Sequence, residues 1–427
     1  MRSFSRLLTV AIATSFLVSG AAFAAGFGLY EQGAKATGMA GAFGATADDP
    51  TAIFFNVAGI AQQRQMAFNT GATAITFANE FRGDPNDVFA SGQYGEYVHH
   101  TFVPAHFYGI VPIGQQMTFG LGVFTPFGLR TNWADPWAGR FISRDANLKA
   151  LDVEPAFAWQ TADGRFAFGV GADYRRSHIT LNRNNGIYNP FSQRIADVAN
   201  VFLDSDWNSA WGYNVGFLFK PGNWRLGASY RSDMTIDYTG KAQFTQISTG
   251  NAQIDAIVKA GLPPNQGITT SIHYPAIYIL GVANTSIPTW TIEGDFTRTT
   301  WSNFDTLNIN FDQTPAVDLV RPQGWHDSNS YRIGANKTAS EHWDVRFGAL
   351  YDETPQPTEN VGPLLPDADR SGLTFGVGYH NGGWIIDPTV FVLHFNERST
   401  GGVSSDNFNG TYKTDALLFS VNVGYKF

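Results

Sequence analysis

The chain has 427 residues, enough for two average soluble domains or one large barrel, and a formal net charge of −8. Only 15% of residues are charged, against about 25% in an ordinary soluble domain, so there is little polar surface to offer water, and the acidic balance argues against a nucleic-acid partner. The absence of cysteine excludes a disulfide framework and thiolate metal sites, and a slightly negative mean hydropathy excludes a bundle of membrane helices.

Residues 1–24 read as a secretion signal. Arg2 and Arg6 form a basic start, Leu7 to Ala25 is apolar and small, and Ala22-Phe23-Ala24 is an A-x-A cleavage site that would leave Ala25 first. The alternative is an uncleaved anchor. Beyond residue 25 no run approaches the ~18 apolar residues of a membrane helix. An exported chain without such a helix is periplasmic, secreted or an outer-membrane barrel.

Residues 25–63 are rich in Gly and Ala and step too briefly for a pair of spanning strands. From residue 64 the chain alternates. Phe166, Phe168, Val170, Ala172 and Tyr174 point one way; Arg165, Ala167, Gly169, Gly171 and Asp173 point the other. Trp290 to Phe296, Trp343 to Tyr351 and Leu417 to Phe427 repeat the pattern. Strands of a soluble sandwich usually run ~5–6 residues. These reach ~10 or more, as tilted membrane strands do, with the apolar side to lipid and the polar side to the lumen.

Candidate strands fall near 64–78, 99–112, 115–127, 147–161, 164–182, 206–221, 222–240, 269–284, 287–312, 326–338, 341–354, 370–381, 382–399 and 411–427. That is about 14, an even number as bacterial barrels require. Tight turns are expected at Ala162-Asp163-Gly164, Pro221-Gly222-Asn223 and Asn381-Gly382-Gly383. Longer polar segments at 79–98, 128–146, 183–205, 241–268 and 355–369 read as loops on the opposite side. The expected fold is all-β: a transmembrane antiparallel β-barrel of about 14 strands over 64–427, with 25–63 as a plug filling its lumen.

The chain resembles the FadL/TodX-type outer-membrane transporters of long-chain fatty acids and other hydrophobic molecules. The resemblance is carried in order by "AGFGLYEQGAKATGMAGAFGATADDPTAIFFNVAG", "TPFGLRTNW", "RLGASYRSDMTIDYTGKAQF", "WTIEGDFTRTTWSNFDTL", "DSNSYRIGA", "WDVRFGALYDETPQP" and "LPDADRSGLTFGVGY". It implies a 14-stranded barrel with an N-terminal plug, an apolar capture groove among the outer loops, and a pocket between plug and wall. It also implies an inward kink in the third strand, through which ligand leaves sideways, with transport running down a gradient.

The same resemblance implies site residues. Asn56-Val57-Ala58 stands where the family has Asn-Pro-Ala and implies a gate beside the kink. Asn56 would bond backbone that the kink leaves unpaired, or would simply cap a turn. Val57 lacks the proline ring that fixes φ, which puts a stiff gate in doubt. Pro126, Phe127 and Gly128 match the kinked strand; an ordinary strand end is the alternative. Phe27 corresponds to the residue that enters the ligand pocket, or it only packs the plug. Arg321, just before the tenth strand, and Arg183, at the end of the fifth, are candidates for a ligand carboxylate, or else lumenal and loop charges in salt bridges.

Other constellations point nowhere. His99, His100 and His106 read as solvated strand-end residues rather than a metal site. "DSDWN" at 204–208 begins like a calcium loop, but Ser209 and Val215 stand where its Gly and Glu belong. No nucleophile elbow, phosphate loop or H-E-x-x-H motif occurs. The sequence thus predicts a non-enzymatic, passive outer-membrane transporter of a Gram-negative bacterium, monomeric and without cofactor or metal. Its partners would be a hydrophobic ligand and the surrounding lipid and lipopolysaccharide. Fatty acids are the first expectation, aromatic or aliphatic hydrocarbons the second. A general diffusion porin is the reading from another class, and a barrel enzyme is the remaining one.

Overall fold

The computed structural model describes residues 26–189 and 194–427; the expected secretion signal and cleavage site lie outside the described residues. Fourteen antiparallel strands among the described residues close into a barrel. They are β1 (Ala67–Gly83), β2 (Ala105–Ile113), β3 in two pieces (Met117–Phe124 and Gly128–Asn132), β4 (Asp145–Gln160) and β5 (Phe166–Asn189). Next come β6 (Arg194–Ser205 and Asn208–Phe219), β7 (Trp224–Arg231 and Met234–Gln246), β8 (Gln266–Tyr274 and Ile277–Asn284) and β9 (Trp290–Thr299 and Thr306–Phe311). The last are β10 (Leu319–Pro322 and Ser328–Thr338), β11 (Trp343–Asp352), β12 (Arg370–Asn381), β13 (Trp384–Phe395) and β14 (Gly410–Lys426). β14 returns to β1 in one ladder from Ala67–Lys426 to Gly83–Gly410, so neither strand is left as an edge.

The period-2 pattern sets the two faces. On β4, Leu148, Asp152, Glu154 and Ala158 are buried inside, while Phe157 and Trp159 are exposed outside. Aromatic rings cluster at both ends of the apolar band. Trp384–Tyr425 (4.9 Å) and Trp343–Tyr379 (4.8 Å) lie at one end, and Tyr174–Trp211 (4.9 Å), Tyr230–Tyr278 (4.9 Å) and Phe296–Tyr331 (5.6 Å) at the other. Amphipathic rings favour the headgroup level, so these mark the two interfaces. The inward face is crossed by buried ion pairs, among them Arg175–Asp152 (2.7 Å) and Arg346–Asp387 (2.6 Å). Charges this deep are tolerable only when paired.

The expected tight turns are present, with left-handed glycines at Gly164, Gly222, Gly382 and Gly383. Segments expected as loops are shorter than the polar stretches suggested. β5 and β6 continue through most of 183–205, β7 runs to Gln246, and the 241–268 segment also holds helix α3 (Ala252–Gly261). Above the membrane both strand faces meet water, so the apolar alternation fades while the ladder continues.

Residues 26 to 66 contribute no spanning strand. They form two short helices, α1 (Ala34–Gly38) and α2 (Ala52–Phe55), and a 3-10 turn (Val57–Gln62). Most of their side chains are buried, and their backbone is bonded to inward-facing side chains of the strands. Asp295 accepts from the amides of Phe43 (2.9 Å) and Gly44 (2.7 Å), and Glu293 from that of Ala45 (2.6 Å). Arg231 reaches the carbonyls of Ile53 (3.4 Å) and Phe54 (3.3 Å), and Arg332 that of Ala40 (2.9 Å). The approach is close: a Cβ on Gly227 would stand 2.1 Å from the Gly44 carbonyl oxygen.

Candidate functional site

The third strand is broken. β4 pairs with both pieces of β3, first to Phe124–Asp152 and again from Gly128–Lys149, so four steps along β3 match three along β4. The extra residue is a bulge. On the other side β2 follows β3 only from Ile113–Met117 to Phe107–Val123. Beyond that, contact resumes at the isolated Tyr97–Trp133 bridge. Pro126 has no N–H to lose at such a place.

The N-terminal segment answers the break. Leu29 N donates to Pro126 O (2.7 Å), Gly128 N donates to Phe27 O (2.9 Å), and Gly28 bridges Phe127. The Gln32 side-chain amide donates to Thr125 O (2.6 Å). Thus the carbonyls of Thr125 and Pro126 and the amide of Gly128 are satisfied by residues 27–32. The expectation that Asn56 meets this backbone is corrected. Asn56 Nδ2 donates to Gly44 O (2.7 Å) and to Phe217 O on β6 (3.1 Å), and its Oδ1 accepts from Ala58 N (3.2 Å), capping the 3-10 turn. Val57 and Ala58 lie buried against Gly169 and Gly216 of β5 and β6. The segment touches β3 through the preceding turn instead: Ile53 packs over Gly120 and Gly122, and the Phe54 ring stands edge-on to Phe124 at 5.5 Å.

Phe27 is buried in an aromatic cage. Its ring lies 4.6 Å from Trp301, 5.4 Å from Phe304, 5.8 Å from Trp325, 5.9 Å from Tyr274 and 6.0 Å from Phe127. Gly26 before it adopts φ +69°, and a Cβ there would meet Trp301 at 2.6 Å, so no larger residue fits. The Gly26 amide donates to Asp367 Oδ2 (3.1 Å), which also accepts from Thr354 Oγ1 (2.6 Å). Asp367 lies in the outer segment between β11 and β12, where burial pushes its carboxyl up to about 6. The same segment is tied to β3, since Trp133 Nε1 donates to Pro363 O (2.9 Å).

Three cavities run inward from the loops. The outermost, about 840 Å³, is a groove between Val88, Phe89 and Tyr94 on one side and Tyr188 and Ile195 near the tip of the β5–β6 hairpin on the other. The middle one, about 200 Å³, is lined by Leu181, Leu203, Leu307 and Ile309 together with Arg183 and Arg321. The innermost, about 60 Å³ and almost wholly apolar, is lined by Leu129, Leu148, Ile272 and Leu365 and ends on Phe27. The middle and innermost cavities share Leu181, Leu307, Ile309 and Leu364 as walls.

The structure therefore brings Arg183 and Arg321 together, although they come from different strands. Arg183 is within β5 rather than at its end, opposite Val201 on β6. Arg321 is on the outer piece of β10 and pairs with Asp406 at 2.5 Å. Asn56, Val57 and Ala58 are not beside Pro126, Phe127 and Gly128. His106 is corrected as well: it is buried, with Nε2 3.1 Å from Asn422 Oδ1. Sequence reasoning missed Gln32, Asp367, Asp406 and the cage residues Trp301, Trp325 and Tyr274. The "LPDADR" motif carried Asp367, but nothing local says that it meets Gly26.

Comparison with known proteins agrees with this fold. Residues 15–427 match the family described as outer membrane protein transport protein (OMPP1/FadL/TodX). The long-chain fatty acid transport protein of Escherichia coli (strain K12) is 26% identical over 459 residues, covering 98% of each chain. The outer membrane protein P1 of Haemophilus influenzae is 23% identical over 484 residues, covering 100% of each. Among solved structures, a Pseudomonas aeruginosa FadL homologue superposes with a TM-score of 0.83 at 20% identity, over 94% of this chain and 99% of that one. The Pseudomonas putida toluene transporter TodX gives 0.73 at 17% identity, over 92% and 98%. The chain belongs to the OMPP1/FadL/TodX family of outer-membrane transport proteins, transporters rather than enzymes, which pass hydrophobic compounds across the outer membrane of Gram-negative bacteria.

Proposed function

We propose that this protein takes up long-chain fatty acids passively, from the outer groove to the pocket at Phe27 and then sideways at the β3 break. The observation that carries this reading is the order of the cavities: an exposed groove with an apolar lining, then two guanidinium groups, then an apolar end. An amphiphile entering tail first meets that order of chemistry. Each CH₂ kept out of water is worth roughly 0.8 kcal/mol, so an apolar route is favoured over an open pore. The carboxylate stays at Arg183 and Arg321, where charge-assisted bonds hold it.

Residues 25–63 serve as a fixed plug. The carboxylates, guanidinium groups and amide side chains that fasten this segment argue against an open diffusion porin and for exit through the wall. Asn56, Val57 and Ala58 hold the plug's rear, whereas Phe27, Pro126, Phe127 and Gly128 form the gate itself. Movement of Phe27 out of its cage would free the backbone of β3 and open the side of the barrel. The protein acts as a monomer within lipid and lipopolysaccharide.

Direct binding of radiolabelled oleate and toluene to purified protein tests the substrate. Oleate should bind, and both Arg321→Ala and Arg183→Ala should weaken it while leaving toluene unchanged. If toluene binds and oleate does not, hydrocarbons are the cargo. If oleate binds both variants as well as the parent, the carboxylate assignment is wrong.

A further inference from the structure

The groove and the middle cavity have two wall residues in common, Ile142 and Asp406, so Asp406 stands at the passage between them. Its Oδ2 receives Nη2 of Arg321 at 2.5 Å, with the two side chains only 16% and 24% exposed. Arg183 lines the same cavity, close enough for the charges of both Arg321 and Asp406 to act on it. Its guanidinium makes no ion pair or hydrogen bond among the described residues. The Ser143 hydroxyl, buried in the same wall, has no hydrogen-bond partner among the described residues either. Asp145 is the other carboxylate of this wall, and it is engaged by Arg130 (3.3 Å) and Asn132 (2.7 Å). The cavity therefore offers Arg183, Arg321 and Ser143 as donors, with Asp406 as the carboxylate held by Arg321.

We propose that Asp406 is a built-in competitor for the headgroup position, and that an anionic amphiphile passes from groove to inner cavity by taking Arg321 from it. This rests on the fatty-acid reading and deepens it. Breaking a largely buried ion pair without replacement leaves an unpaired charge, which is costly, whereas exchanging one carboxylate for another conserves the pairing. A carboxylate ligand makes that exchange, with Arg183 and Ser143 as further donors to it. An uncharged hydrocarbon has nothing to exchange, so Asp406 discriminates for charge and not only for tail length. Asp406 lies on a segment between Ser399 and Gly410 without regular structure, anchored one residue earlier where Ser405 N donates to Glu359 O (2.8 Å). The carboxylate can swing away without disturbing a strand.

The test uses the purified full-length protein, with oleate and oleyl alcohol as probes of equal chain length and different charge. Asp406→Asn should tighten oleate by about tenfold, because the competitor is gone, and leave oleyl alcohol within about twofold. Asp406→Glu should restore the parent affinity. In the Arg321→Ala background, Asp406→Asn should have no effect on oleate. If Asp406→Asn leaves oleate unchanged, weakens it, or tightens oleyl alcohol equally, Asp406 is not a competitor. If the parent binds toluene and neither it nor Asp406→Asn binds oleate, the fatty-acid reading falls, and the competitor with it. The heat-dependent electrophoretic shift of a closed barrel confirms that each variant is folded.

Discussion

Asp367 accepts the Gly26 amide across 341 residues of sequence, and so places Phe27 in its cage. Burial is the main reason that its carboxyl rises to about 6 from an ordinary 3.8; Thr354, the Gly26 amide and Arg370 pull the other way and do not cancel it. Between those two values the unfolded chain binds fewer protons than the folded one, so folded stability falls as pH rises through that window. Asp367→Asn removes the titration. Its unfolding midpoint relative to the parent should rise as pH goes from about 4 to about 7; parallel curves would show that the carboxyl does not titrate there. Gln32 is the other hidden contact. Gln32→Leu strands the Thr125 carbonyl, a loss of about 1–3 kcal/mol. It should speed hydrogen exchange at the amides of Leu29 and Gly128 while leaving β10 to β14 unchanged.

At the scale of the element, β3 shows what a sequence tells about a break. Pro126 and Gly128 announce an interruption, because one lacks a donor and the other tolerates unusual dihedrals. They do not announce what the freed backbone bonds to. The "NVAG" stretch reads as the partner in the sequence, yet Asn56 is turned to β6, and "GFGLYEQ" supplies the bonds. The absence of proline at Val57 also weighs differently once Val57 is seen buried and Asn56 is seen making three hydrogen bonds: packing and capping restrain this turn without the ring. Gly128 remains the sensitive point. Gly128→Glu places a charge beside the Phe27 carbonyl; it should abolish uptake in cells while the heat-dependent electrophoretic shift of a closed barrel is retained. Unchanged uptake would remove the lateral exit.

For the whole molecule, the question is whether the N-terminal segment stays inside. It is fastened from several strands, most strongly by Glu293 and Asp295 to the amides of Phe43, Gly44 and Ala45. An intramolecular hydrogen bond contributes about 0.5–1.5 kcal/mol net. Replacing both acids by Ala should loosen the segment and raise single-channel ion conductance in planar bilayers several-fold by that reasoning, from a parent with little conductance. Equal conductance in the two would mean that other contacts hold the segment alone.

Period-2 alternation, aromatic strand ends and tight glycine turns made the barrel and its strand count legible in the sequence, because each depends on neighbours within ten residues or so. The same locality explains the limits. Outer strand extensions look like loops in the sequence, since both faces are polar there. The pairings of Gly26 with Asp367, Arg321 with Asp406, and Gln32 with Thr125 join residues far apart in the chain. Their distances are fixed only when the barrel closes and the N-terminal segment is seated inside it. Local alternation dictates what kind of wall is built; which buried groups meet across it depends on the closed barrel with its N-terminal segment in place.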